Sequence, residues 1–216
     1  MINQEKMKKI IAFLALTGIL YVQGHAQQRV VAECTVTYSI TTDKKNDKDW
    51  IESLKSSTKI VYIKGFNSRT DLISSAFTQS VFFDKSNGTA VVLRILGNNK
   101  FITRLDTSGW HQLNNKFDEA VLTILNETKT ILGYECKKAV LQLKDGNSFT
   151  LYYTTAIIPS VREFEYQFKN IPGFVLEYET SEKDGKKVHY TATKINLNPV
   201  SSSKFQIPAS GYRVLN

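Results

Sequence analysis

The chain holds few of the residues that interrupt or crosslink a fold. Among its 216 residues are four prolines, at positions 159, 172, 199 and 208. Proline cannot donate to a strand ladder, so the long stretches between these positions are free to pair. Two cysteines are too few for a disulfide-dense scaffold or a four-thiolate zinc site. The three histidines, His25, His111 and His189, show no ligand spacing, so neither a metal nor any other cofactor is expected. Beyond residue 22 no apolar run is long enough to cross a bilayer. The net charge of +8 is spread over pairs such as Lys44-Lys45, Lys137-Lys138 and Lys186-Lys187. Nucleic acid needs basic residues focused on one face and is not expected as a partner. A solvated surface accounts for the same lysines as well as a weak attraction to anionic headgroups does.

What the chain does have begins at its first residues. Lys6, Lys8 and Lys9 precede an almost wholly apolar run over 10–22, and Gly24-His25-Ala26 puts small residues at the two positions a signal peptidase reads. This pattern predicts a signal peptide over 1–26, cleaved after Ala26 and too short to act as an anchor. Residues 27–216 are then expected to form one domain, periplasmic or secreted. Its net charge is +6 once three lysines and Glu5 are gone. Cys34 lies well past the cleavage position, which argues against lipid anchoring there. Export favours pairing of Cys34 with Cys136. Such a disulfide closes a loop of about 100 residues and contributes on the order of 4–5 kcal/mol. The face of Cys136 is ambiguous, since Ala139, Leu141 and Leu143 point opposite to it unless a bulge intervenes. Two buried free thiols are the alternative.

Period two dominates the rest. Val30, Ala32, Cys34, Val36, Tyr38 and Ile40 alternate with more polar neighbours, which predicts a half-buried strand. Further strands are predicted at 58–66, 69–74, 77–84, 89–96, 100–105, 120–128, 135–144, 148–155, 173–181 and 186–196. Between them Ser86-Asn87-Gly88, Gly97-Asn98-Asn99, Asp145-Gly146-Asn147 and Asp184-Gly185 supply tight-turn chemistry. Short turns mean an antiparallel meander, because parallel pairs need long crossovers. Two short helices are expected: one over 46–56, with Trp50, Ile51 and Leu54 on one side, and one over 160–169. In the second, Ser160 and Glu163 form a capping box and Val161, Phe164 and Phe168 share a face. The fold class is therefore α+β: an antiparallel sheet of about ten strands, one face of it covered by short helices.

Residue patterns associated with catalysis are incomplete. Ser56-Ser57-Thr58-Lys59 and Ser201-Ser202-Ser203-Lys204 fit Ser-x-x-Lys, but the Ser-Asp-Asn and Lys-Thr-Gly elements that this chemistry needs are missing. No Gly-x-Ser-x-Gly elbow occurs. Glu177 and Glu179 fall on one face of a strand, where a polar surface paired with lysines explains them more simply than glycoside chemistry does. The cluster of aspartates from Asp43 to Asp49 lacks the glycine turn and terminal glutamate of a calcium loop, and a solvated loop accounts for it. No enzyme is expected.

At residues 130–179 the chain resembles a known group. The run Gly133-Tyr134-Glu135-Cys136-Lys137-Lys138-Ala139 leads to a hairpin and the Tyr152-Tyr153-Thr154 strand, and then to Asn170-Ile171-Pro172-Gly173-Phe174-Val175. This resembles a family of secreted Bacteroidetes proteins without an assigned function. It is also similar to the GLPGLI proteins, whose Gly-Leu-Pro-Gly-Leu-Ile occupies the place of 170–175. The ending over 205–212 fits the same pattern. More distantly, the resemblance implies kinship with the lipoprotein carrier LolA and the lipid-binding LppX. Those are half-barrels, in which a strongly curved antiparallel sheet is closed by short helices over an apolar cavity. It brings no catalytic or binding residue that can be carried over.

The aromatic supply suits such a cavity. Tyr38, Tyr62, Phe82, Phe101, Tyr152, Phe164 and Phe168, with Pro172 at the bend, are the candidates for its wall or rim; filling the core is the alternative for each. The expectation is a non-catalytic periplasmic monomer that binds a lipid, an acyl chain or a lipoprotein segment in a LolA-like half-barrel. It would touch a membrane only peripherally, without an anchor. An envelope protein-interaction module with a packed core and no ligand is the alternative.

Overall fold

A computed structural model describes residues 28–43, 52, 56–181 and 187–215. The expected signal peptide, most of the helix over 46–56 and the turn at 183–186 lie outside these residues. The described chain folds mainly as strands: β1 (Arg29–Val31), β2 (Glu33–Thr42), β3 (Thr58–Lys64), β4 (Asn67–Ile73), β5 (Phe77–Asp84), β6 (Thr89–Leu96) and β7 (Asn99–Leu105). A helix follows, α1 (Thr107–Asn114). Then come β8 (Val121–Ile131), β9 (Tyr134–Gln142), β10 (Ser148–Thr154), β11 (Ile157–Pro159), β12 (Phe174–Ser181), β13 (Lys187–Asn196) and β14 (Arg213–Val214).

One twelve-stranded sheet runs in the order β14-β7-β6-β5-β4-β3-β2-β13-β12-β10-β9-β8. Two meanders, β2 to β7 and β8 to β13, join where β13 pairs with β2. Two-residue turns set the registers of β3–β4, β6–β7 and β8–β9. Leu132-Gly133, with φ of 51° and 83°, closes the β8–β9 hairpin, a geometry that suits glycine and costs a leucine about 1 kcal/mol. The meander expectation holds, with two exceptions. β1 pairs with β11, and β14 with β7, in parallel. In both cases the chain between the partners is long, as parallel pairing requires.

The registers sort side chains into continuous cross-strand rows. Cys34, Ile63, Ser68, Phe83, Ala90 and Leu105 form one row and Val36, Val61, Thr70, Val81, Val92 and Thr103 the next. Their face carries the main core, which continues through Leu151, Phe174, Leu176 and Tyr178. On the opposite face the residues before β14 lay Ile207 and Tyr212 over a small second cluster of Phe82, Leu93 and Ile102.

The expected helix over 160–169 is corrected to two 3-10 turns, Arg162–Phe164 and Tyr166–Phe168. The capping box does not form, because its two members are engaged elsewhere. The Ser160 hydroxyl donates to the Gly65 carbonyl at 2.7 Å, and Glu163 pairs with Lys85. Val161, Phe164 and Phe168 are nevertheless all buried, as that face was expected to be. Gly173 then returns the chain to the sheet. A Cβ there would lie 2.0 Å from the Thr154 carbonyl oxygen, so only glycine fits this approach.

The Cys34 to Cys136 bridge is also corrected: both are free, buried thiols. Four ladder steps separate β2 from β9, about 19 Å along the sheet, whereas a disulfide needs Cα atoms within about 7 Å. Burial pushes the Cys34 thiol up to about 12 and the Cys136 thiol up to about 11. Two thiols per chain should therefore react with a disulfide reagent in denaturant, and neither should react rapidly in the native protein at pH 8. A count of zero thiols after denaturation without reductant would restore the bridge.

Candidate functional site

The third cross-strand row on the core face differs from its neighbours. It reads Tyr38, Lys59, Leu72, Gln79, Arg94 and Phe101, so a lysine, an amide and an arginine stand where the alternation would place apolar groups. Above this row lies a cavity of about 290 Å³. Its floor is Lys59, Leu72, Gln79 and Arg94 with Thr70, Val81 and Val92. Its roof is Trp110, Leu113 and Asn114 of α1 and the turns around Phe164 and Tyr166. Tyr178 and Tyr190 wall the end beside Lys59.

The two roof pieces are positioned by aromatic contacts and polar tethers. Asp106 caps α1, its carboxylate accepting from the Gly109 N–H at 2.7 Å. Trp110 stacks on Phe83 at 5.5 Å between ring centroids, and Phe117, just past the helix, meets Phe149 edge-on at 6.5 Å. The Thr70 hydroxyl donates to the Phe164 carbonyl at 3.1 Å. Asp118 joins the roof pieces to each other. It accepts from the Tyr166 hydroxyl at 2.6 Å and from Lys169 at 2.7 Å, while its other oxygen lies 2.8 Å from His111 Nε2. The hydrogen bonds from Lys169 and then Tyr166 hold the Asp118 carboxyl down at about 2.

Lys59 is the most constrained group in the site. It is 5% exposed, and its ammonium donates to the Glu165 carboxylate and to the Tyr178 hydroxyl. The same nitrogen lies 5.0 Å and 5.1 Å from the ring centres of Tyr178 and Tyr190, which stack at 4.6 Å as direct cross-strand partners. Burial drives the Tyr178 hydroxyl well above its ordinary range, so it stays protonated. Arg94 is exposed at the far end of the row, where its Nε–H donates to Gln79 Oε1 at 2.9 Å.

Of the residues expected to line a cavity, Phe164 lines this one. Tyr38 and Phe168 lie in the core beneath it. The Tyr38 hydroxyl donates to the Val175 carbonyl at 2.8 Å, and Phe168 meets Tyr178 edge-on at 5.0 Å. Phe101 ends the Arg94 row, outside the cavity lining, and Pro172 sits in the bend before β12. Tyr62 and Tyr152 are corrected, and Phe82 is placed elsewhere: strand parity turns all three to the opposite face, where Phe82 lines two smaller cavities of about 200 Å³ and 180 Å³. There Tyr62 and Phe82 lie against the Arg69 guanidinium and Tyr152 against Lys129. Glu177 and Glu179 also point there, engaged by Lys129 and by Lys187. Ser201 caps the 3-10 turn Ser202–Phe205. Sequence reasoning missed α1, Lys59 and Arg94. The signal for Lys59 was its period-two match with Val61 and Ile63, and for α1 the Asp106 cap.

Residues 36–203 match the family described as N-glycanase peptide, N-terminal domain. A crystal structure of an uncharacterized conserved protein from Thermus thermophilus aligns over 93% of this chain and 98% of its own, at a TM-score of 0.50 and 11% identity. A structure of PNGF-II aligns over 85% of this chain at a TM-score of 0.48 and 14% identity, and this chain covers 31% of it. The LolA superfamily protein NE2245 from Nitrosomonas europaea aligns over 84% of this chain and 91% of its own, at a TM-score of 0.35 and 12% identity. No curated protein matches the sequence. Among the described residues no helix is long and apolar enough to cross a membrane.

Two outcomes follow from the tethers. Lys59→Met leaves the Glu165 carboxylate without its partner and should cost about 3 kcal/mol in urea unfolding. Adding Glu165→Met should restore most of that loss. The Asp118 contribution is present above pH 4 and is lost as pH falls toward 2, because its folded value lies below the ordinary one near 3.9. The difference in melting temperature between wild type and Asp118→Asn should therefore narrow over that interval.

Proposed function

The chain belongs to the N-glycanase peptide, N-terminal domain family, and on that premise we propose a non-catalytic binding domain that takes an apolar ligand into the cavity beneath α1. A lipid, an acyl chain or a lipoprotein segment is the ligand class, and the periplasm or the exterior is the compartment, reached through the signal peptide over 1–26. The observation that carries this reading is a cavity whose floor is partly apolar, with Leu72 and Val81 half-buried rather than sealed. Leu72, Val81 and Val92 floor the cavity, and Leu113 of α1 overhangs it while remaining 56% exposed. Burying such surface at about 25 cal/mol per Å² is the driving force, so chain length should matter more than chain shape.

A half-barrel bend of the sheet belongs to the same reading, and chain length supports it. Ten ladder steps separate β7 from β8, about 48 Å across a flat sheet. The connection from Leu105 to Val121 includes α1 and reaches under about 40 Å. Within it, Trp110 packs on β5 and Phe117 on β10, partners six ladder steps apart. Glycanase chemistry is not carried over to this chain, which spans about 31% of the PNGF-II chain it aligns with.

A second reading, an envelope interaction module, is favoured by one observation. Edge strand β8 leaves Val121, Ile124 and Leu125 exposed, and no strand among the described residues pairs with its outer side. Ligand binding separates the two. The mature protein should gain several degrees of melting temperature from medium-chain alcohols, and Val92→Trp, which fills the cavity floor, should abolish the gain. No stabilisation by any alkyl compound, and no co-purifying ligand in native mass spectrometry, would leave the interaction module standing.

A further inference from the structure

The cavity's two cations are not equivalent. Lys59 is neutralised where it stands by Glu165. Arg94 faces the same space from the other end of the row, and its one partner among the described residues is a neutral amide, Gln79. No carboxylate among the described residues pairs with it. Its guanidinium carries further N–H donors beyond the one spent on Gln79. Asn114 and Gln167, which also line the cavity, add donors and no charge. The cavity therefore has one unmatched positive charge, at its exposed end, next to an apolar strip that runs toward the Tyr178 and Tyr190 wall. Three ladder steps, about 14 Å, separate the Arg94 strand from the Lys59 strand.

Resting on the binding reading above, we infer that the ligand is an anionic amphiphile, its carboxylate or phosphate head on Arg94 and its alkyl chain laid along Leu72, Val81 and Val92. A planar guanidinium holds such a head through paired N–H donors, which an ammonium cannot match. Polarity is thereby fixed. The head stays at the open end, and the chain end meets the closed wall, where Lys59 and Glu165 are already satisfied by each other. An inverted ligand would bring its charge against the Glu165 carboxylate and leave methylenes at the wet rim.

Trp110 lines the cavity roof, so its fluorescence in a Trp50→Phe background reports occupancy. Decanoate and decyl phosphate should each bind about tenfold more tightly than 1-decanol, with the advantage shrinking at high salt. Inorganic phosphate alone should neither bind detectably nor compete, which separates a headgroup from a free anion. Arg94→Gln should bring the acids down to the affinity of the alcohol, and Arg94→Lys should retain part of the difference. Equal affinities for acid and alcohol, or an acid preference that survives Arg94→Gln, would overturn the inference while leaving apolar binding intact. Binding of inorganic phosphate without any alkyl ligand would overturn it in favour of a simple anion site. Failure of every alkyl ligand to bind would remove the binding reading itself, and this inference with it.

Discussion

A buried ammonium has to be matched where it lies, since its desolvation costs several kcal/mol. Lys59 imposes that condition on everything above the sheet. Its place is fixed by the β3 register, opposite Leu72 on one side and Tyr38 on the other. The carboxylate that answers it must come from outside the sheet, and Glu165 supplies it from the extended residue between two 3-10 turns. A regular helix over 160–169 would offer its side chains at a different pitch. The broken geometry instead lets Phe164 and Phe168 go down into the core while Glu165 reaches Lys59. The location of the turns over 162–168 thus follows from one ion pair and the two phenylalanines beside it.

Cross-strand pairing does the rest of the positioning. Each step of the registers from β2 to β7 adds one residue to a row, so a chemical gradient along the rows needs no irregular backbone. Toward β12 and β10 the core face is closed by Phe174, Leu176 and Leu151. Toward β6 it carries Gln79 and Arg94 in line with Lys59. The boundary between packed core and open cavity falls where this row turns polar, because polar side chains in a sealed core would lack partners.

Much of this architecture was legible in the sequence. The long strands came from period two and their ends from Asn-Gly and Asp-Gly turns, and the structure departs from those expectations by a few residues. β11 and β14, three and two residues long, carry no periodicity to detect. Facing was harder than existence. In β3 both parities are apolar, Val61 and Ile63 on one face and Ile60 and Tyr62 on the other, so Tyr62 was assigned to a cavity it turns away from. Only the pairing of Cys34 with Ile63 settles which set is inside. The same ambiguity hid Lys59. α1 was missed because Gly109 and the polar residues around it present no apolar stripe, while its Trp110 stack depends on Phe83, brought close by the fold. The GLPGLI-like segment was seen as a motif, and its physical reason is the Thr154 carbonyl pressed against Gly173.

The way α1 is held explains why a cavity persists beneath it. A helix that docks through its own apolar stripe brings its axis close to the sheet and expels the space between. None of the α1 residues is fully buried. The helix rests on one aromatic stack, a hydrogen bond from the Thr107 hydroxyl to the Asn87 carbonyl and, through His111 and Asp118, a link to the neighbouring turns. Such tethers fix position at several points without supplying volume. Collapse onto the floor is opposed from below as well, because Gln79 and Arg94 would have to give up water for contact with Leu113 and Trp110. Polar groups in the floor and polar tethers in the roof therefore act together. They keep apolar surface near water inside the fold, which is the condition a binding cavity requires.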